Sequence, residues 1–208
     1  TIFTIVRGGQ VPSITFQSRG QSMDNLDDTE NFSLKGNLRD GMIHIPGELF
    51  AQKDIDINLE SVIGNVLISK GILEVKNLNA RLENHLLQEG MMRAGVEGEV
   101  VPFHLEVSVD ADLPSLPPLL SRFIKEKTFR EELDRIRDLR GRAVGKLVLG
   151  ERTDSLRAKV EISEMNLRAH YGPIPYPVEI DQGQFSFDEE TIGLKDLRGK
   201  VGRSSFSG

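Results

Sequence analysis

Apolar and polar residues alternate along most of this chain. Phe103, Leu105, Val107 and Val109 alternate with His104, Glu106 and Ser108, and Ala143, Gly145, Leu147 and Leu149 repeat the pattern, as do Leu156, Ala158, Val160 and Ile162. A period of two sends successive side chains to opposite faces of a strand, one apolar and one wet. Shorter runs of the same kind occur at Ile14–Phe16, Phe32–Leu34, Met42–Ile45, Ile55–Leu59, Val66–Ile68, Leu73–Val75, Leu167–Ala169, Val178–Ile180 and Ile192–Leu194. Gly20, Asp40-Gly41, Gly64, Gly71, Asn84, Gly90, Gly150 and Gly183 punctuate them at turn-like intervals. The expectation is a mainly β protein, built as a long antiparallel meander.

One segment departs from period two. SLPPLLSRFIKEKTFREELDRIRDLRG places Leu116, Leu119, Leu120, Phe123 and Ile124 at helical spacing, then Phe129, Leu133, Ile136 and Leu139. Ser115 is a candidate cap for the first helix, with Pro117 and Pro118 tolerated in its first turn. Thr128 with Glu131 fits a capping box for a second helix. This pair is expected to cover an end or one face of the sheet, with a lid or membrane-surface helix as the alternative. The chain thus divides into a β-meander at 1–113, a helical insert at 114–140 and a second meander at 141–208, sharing one sheet.

The 208 residues suffice to bury a core. A net charge of -6 and a pI near 5.3 disfavour a nucleic-acid partner, because phosphate contacts need a surplus of Lys and Arg. The absence of cysteine removes a disulfide framework, a thiolate metal site and a Cys nucleophile, and leaves the redox compartment open. No apolar run approaches the roughly 18 residues of a membrane span. The first residues, TIFTIVRGGQ, read as the middle of a strand and not as a signal peptide. The chain is accordingly expected to be a segment of a longer protein.

Motifs for chemistry are scarce. His44, His85, His104 and His170 sit in different strand-like segments, without the i, i+4 spacing of a helical zinc site. No nucleophile elbow and no dinucleotide-binding glycine motif is present. Five residues separate Gly193 from Gly199-Lys200, where a Walker loop has four, and Val201 stands in place of Ser or Thr. The acids Asp188, Glu189 and Glu190 fall between two alternating runs, where a hairpin turn belongs. The acidic stretch Gln21 to Asn31 lacks calcium-loop spacing and reads as a solvated loop. Asn31-Phe32-Ser33 is a glycosylation sequon in form only. No cofactor, no metal and no catalytic residue is expected.

The stronger signal is an internal repeat. GNVLISKGILEVKNLNARL from Gly64 aligns without a gap on GQFSFDEETIGLKDLRGKV from Gly183. Val66 meets Phe185, Ile68 meets Phe187, Leu73 meets Ile192, Val75 meets Leu194, Asn77 meets Asp196 and Leu78 meets Leu197. The shared pattern is read as a turn, two alternating strands and an Asx-Leu step into a third. LKGNLRDGMIHIPG, from Leu34, is a shorter version of the same hairpin. Repeated strand units indicate a structure that grows by adding hairpins.

IDINLESVIGNVLISKGILEVKNLNARLENHLLQEG resembles the repeating strand unit of the AsmA-like bacterial envelope family, which includes TamB-type and YhdP-type members. The second half is similar to the AsmA-like C-terminal region: Asp110 to Leu113, a Leu/Pro-rich helix, LRGRAVGKLVLG, then strands ending in LKDLRGKVGRSSFSG. The likeness covers residues 31 to 208. The resemblance implies an elongated, curved antiparallel sheet forming an open groove, a periplasmic location and an inner-membrane anchor outside this segment. It also implies a non-enzymatic role in carrying phospholipid acyl chains.

An apolar sheet face must be covered. Exposed, it costs about 25 cal/mol per Å². A sandwich with a dry core would cover it, and so would a lipid lying in a groove. The candidate lipid-contacting residues are the repeated apolar positions Val66, Ile68, Leu73, Val75, Phe185, Phe187, Ile192 and Leu194. The alternative function is a scaffold that binds other envelope proteins through exposed sheet edges.

Overall fold

In a computed structural model the structure describes residues 6–18, 31–45, 56–96, 100–123, 127–153, 155–188 and 191–208. Twelve strands form an antiparallel sheet: β1 (Val6–Gln10), β2 (Ile14–Ser18), β3 (Phe32–Ile45), β4 (Ile57–Ser69), β5 (Ile72–Leu82), β6 (His85–Gly95), β7 (Pro102–Asp112), β8 (Ile136–Arg152), β9 (Ser155–Tyr171), β10 (Val178–Asp188), β11 (Thr191–Val201) and β12 (Ser204–Ser207). From β3 to β12 each strand neighbours the next in sequence, while β1 and β2 both pair with β3, along its two halves. Pro12 separates β1 from β2, at a sheet edge where a missing N–H is tolerated. The fold is the expected mainly β, open antiparallel sheet with a helical insert.

Short connections set the registers. Lys70 and Gly71, with φ of 51° and 66°, close the β4–β5 hairpin, and Gly202, with φ of 61°, opens the turn between β11 and β12. Left-handed residues match the twist of two-residue hairpins. Most of the other positions expected to be turns are not turns. Asp40-Gly41, Gly64, Gly90, Gly150 and Gly183 all lie inside strands, and the third strand expected after Asn77-Leu78 is the far half of β5 itself.

The reason is a recurrent bulge. Asp40, Ser61, Asn77, Glu89, Asp138 and Asp196 are all left-handed within their strands, at φ between 48° and 53°. Each precedes the residue that resumes the apolar face: Val75 is followed on that face by Leu78, Leu59 by Val62, Ile136 by Leu139 and Leu194 by Leu197. One extra residue reverses the parity of a strand. Without it Asn77 and Asn79, not Leu78 and Ala80, would continue the face of Val75, which is buried with Leu78 and Ala80.

The helical insert is shorter than its sequence pattern. After a 3₁₀ turn at Leu113–Ser115 come α1 (Leu116–Phe123) and α2 (Lys127–Asp134). Residues 136–140, expected to be helical, open β8, because the apolar spacing of Ile136 and Leu139 is that of a bulged strand. Thr128 lies inside α2 and does not cap it, and the Ser115 hydroxyl donates to the Asp112 carbonyl at 3.0 Å.

The chain divides into two compact units, 1–108 with 148–157, and 109–147 with 158–208. These boundaries cut through β7, β8 and β9. In the first unit the buried face holds Leu38, Val62, Ile68, Val75, Leu78, Leu87, Phe103, Val107 and the nearly inaccessible His85. In the second, buried apolar side chains among the described residues are fewer and mostly small: Ala111, Leu113, Leu119, Ala143 and Ala169.

Candidate functional site

The repeat seen in sequence is a repeat in register. In the first unit Val66 pairs with Val75 and Ile68 with Leu73 across β4 and β5. In the second, Phe185 pairs with Leu194 and Phe187 with Ile192 across β10 and β11. Residues paired across antiparallel strands share a face, so each hairpin presents four apolar positions on one side. Gly64 and Gly183 hold the same place in the two hairpins and are both buried. A Cβ on Gly64 would meet Val75 Cγ1 at 3.0 Å, and one on Gly183 would collide with Leu197.

Neighbouring strands extend both patches. In the first unit one row runs Phe16, Leu34, Ile68, Leu73, Ala94 and the next runs Ile14, Gly36, Val66, Val75, Met92. The rows are buried in the middle, with Ile68 4% and Val75 6% accessible, and open at the β2 edge, where Ile14 and Phe16 are 60% and 59% exposed. The Phe16 and Phe32 rings lie 5.8 Å apart there. In the second unit Phe185 stands beside Ile162 and Phe187 beside Val160. Here Phe185 and Phe187 are half-buried and Leu194 is 56% exposed, so this patch is the more open. The Ile192 side chain lies outside the described residues.

Ile14, Phe16, Leu34, Met92, Val160 and Ile162 were not among the candidate residues. The repeat compares a hairpin with itself, and only register brings in the strands beside it. The alternation at those positions was the sole available signal.

Polar groups do not converge into a reacting centre. The four histidines are on β3, β6, β7 and β9, and among the described residues no three His, Cys, Asp or Glu side chains gather as metal ligands. His44 Nδ1 lies 2.8 Å from Asn58 Oδ1, and His170 Nδ1 lies 3.2 Å from Asp138 Oδ2. Asp188 ends β10 and sits 3.6 Å from Lys159 Nζ, while Glu189 and Glu190 lie outside the described residues. The Lys159 pKa is raised, first by its hydrogen bond to Glu161 and then by the charges of Glu161 and Asp188. Lys200 and Val201 continue β11, so no helix starts at the Gly199-Lys200 step. The stretch 21–30 also lies outside the described residues.

The best-connected polar cluster ties α2 to β9. Glu132 accepts hydrogen bonds from Tyr171 Oη at 2.5 Å and from Arg135 Nη1 at 2.6 Å, and Gly172 N–H donates to the Arg135 carbonyl at 2.9 Å. The Glu132 carboxylate holds the Tyr171 phenol protonated, above its ordinary 10.0. Beside it an open depression of about 430 Å³ is lined by Asp134, Arg137, Asp138, His170 and Ile174. Another, of about 460 Å³, lies in the first unit against Gln10, Asp40, Met42, Glu60 and Ser61. Neither contains any of the eight candidate residues.

No protein-family model, no curated protein and no solved structure matches the chain.

Proposed function

We propose that this chain is a non-enzymatic segment of an AsmA-like envelope protein that binds lipid acyl chains along its apolar sheet faces. In that role it would serve phospholipid transport and outer-membrane lipid homeostasis in the periplasm, anchored to the inner membrane by a part of the protein outside this segment. The observation that carries the reading is the open apolar patch of the second unit, where Phe185, Phe187 and Leu194 share one face and Leu194 is 56% exposed. Apolar area left in water costs about 25 cal/mol per Å², and hydrocarbon contact removes that cost. Binding of this kind needs grease at many positions and no single essential residue. Native mass spectrometry and lipid extraction of the purified chain test it. Co-purifying phospholipid is expected, with at least severalfold less in Phe185→Asp/Leu194→Asp. Repeated absence of lipid from the wild type overturns the reading.

A scaffold role is favoured by a different observation. β12 pairs with residues 198–201 of β11, and Gly208 with Leu197, which leaves Thr191 to Asp196 without a strand on that side among the described residues. Such an edge accepts an added strand from a protein partner. Capture of a peptide strand by lipid-free protein would favour this reading over the first.

A further inference from the structure

Several cations of the second unit are neutralised within the fold. Arg142 is held by Asp110 at 2.5 Å, Arg135 by Glu132 at 2.6 Å, Arg168 by Glu179 at 3.4 Å, and Lys159 by Glu161 at 3.1 Å. Arg198, Lys200 and Arg203 are among those that differ. All three are exposed, and none forms an ion pair among the described residues.

The registers gather these three at one edge. Arg198 and Lys200 are two residues apart on β11 and share a face, with Ser207 and Ser205 opposite them on β12. Gln182 and Glu179 flank them on β10, and Glu179 already holds Arg168. Arg203 sits in the turn between β11 and β12. Tyr176 belongs to the same corner: a Cβ on Gly202 would lie 2.9 Å from its ring, Gly202 N–H donates to the Pro177 carbonyl at 3.1 Å, and Tyr176 is 59% exposed.

Two guanidinium groups, an ammonium and two serine hydroxyls make a donor-rich surface whose complement is a phosphate-bearing anion. An exposed tyrosine beside them supplies the amphipathic ring that favours a water–hydrocarbon interface. We propose that this edge docks on an anionic lipid bilayer, with phosphodiester headgroups accepting from Arg198, Lys200 and Arg203 and Tyr176 at headgroup level. The chain as a whole carries a net charge of -6, so docking on an anionic surface depends on where cations cluster, and this edge gathers three. The proposal concerns headgroups at a surface and stands whether or not the apolar faces hold acyl chains.

The test is co-sedimentation of the full chain with phosphatidylcholine vesicles and with vesicles containing phosphatidylglycerol. Binding to the anionic vesicles alone is expected, weakening as salt is raised. Each cation near an anionic surface is worth about fivefold in affinity, so R198Q/K200Q/R203Q should lose on the order of 100-fold. Tyr176→Ser should lose severalfold. The control K35Q/R39Q/K70Q changes net charge equally on exposed cations of the first unit and should bind as the wild type does, with circular dichroism confirming that all three variants fold. Equal binding to neutral vesicles, no binding to anionic ones, or equal loss in the control overturns the proposal. So does binding of duplex DNA through the same three cations without binding to vesicles.

Discussion

A single backbone conformation recurs at six places and decides which side chains face inward. A non-glycine residue in the left-handed region costs about 1–2 kcal/mol, least for Asn and Asp. Of the six bulge residues, Asp40, Asn77, Asp138 and Asp196 are of those two types. Asn79 supports two bulges at once: its amide donates to the Asn77 carbonyl at 3.1 Å and its Oδ1 accepts from Glu89 N–H at 3.3 Å. Asn77→Val should therefore destabilise the fold by about 1–2 kcal/mol in denaturant unfolding, while Asn77→Gly should not. Asn79→Ala should cost about 1 kcal/mol through the two lost hydrogen bonds. Close approach imposes a further constraint. Gly141 and Gly199 follow the bulges at Asp138 and Asp196 by three residues, and a Cβ at either would collide with a carbonyl oxygen of an adjacent strand, that of Asn166 or Glu179. Gly199→Ala should cost roughly 1–3 kcal/mol by overpacking.

Hairpins and the insert are the working elements. The β4–β5 and β10–β11 hairpins place the same apolar quartet in the same register, yet Val75 is 6% accessible and its counterpart Leu194 56%. Strands on both sides explain part of that difference: β5 is covered laterally by β6, whereas the Leu194 half of β11 lies at an edge. The helix α2 buries none of its residues and is held by the Glu132–Tyr171–Arg135 cluster. Because the folded pKa of Tyr171 lies above 10.0, the clasp contributes fully below that pH and is lost as pH rises through the raised folded value. Alkaline absorbance titration, taken as the difference between wild type and Tyr171→Phe, should show a midpoint above 10.0. A midpoint at or below it would mean that the phenol does not donate to Glu132.

The strand order follows the chain order from β3 to β12, so contacts between strands are mostly between sequence neighbours. Cooperativity in such a sheet is largely nearest-neighbour, and edges open before interiors. Amide hydrogen exchange should be fastest in β2 and β12, each five residues or fewer, and slowest in β5 and β6, which are eleven residues long and flanked on both sides. Uniform protection across these strands would contradict a neighbour-coupled sheet.

The sequence alone determined the mainly β class, the antiparallel meander, the helical interruption and the equivalence of the two hairpins. All of these rest on local periodicity, and Val66-x-Ile68 against Phe185-x-Phe187 carries it without help from distant residues. The Asx-Leu step is visible as a pattern, but the sequence reads it as the entry to a third strand where the structure has a bulge within β5 and β11. A bulge and a turn use the same residue types, and only the partner strand shows whether the chain reverses or continues. The same ambiguity placed Ile136 and Leu139 in a helix, since spacing of three serves a helix face and a bulged strand equally. Tertiary structure decided which members of the quartets are buried, brought Ile14, Phe16, Val160 and Ile162 beside them, and gathered Arg198, Lys200 and Arg203 at an edge. Burial and electrostatic neighbourhood depend on what lies across the strand, and a single chain read in order does not contain that.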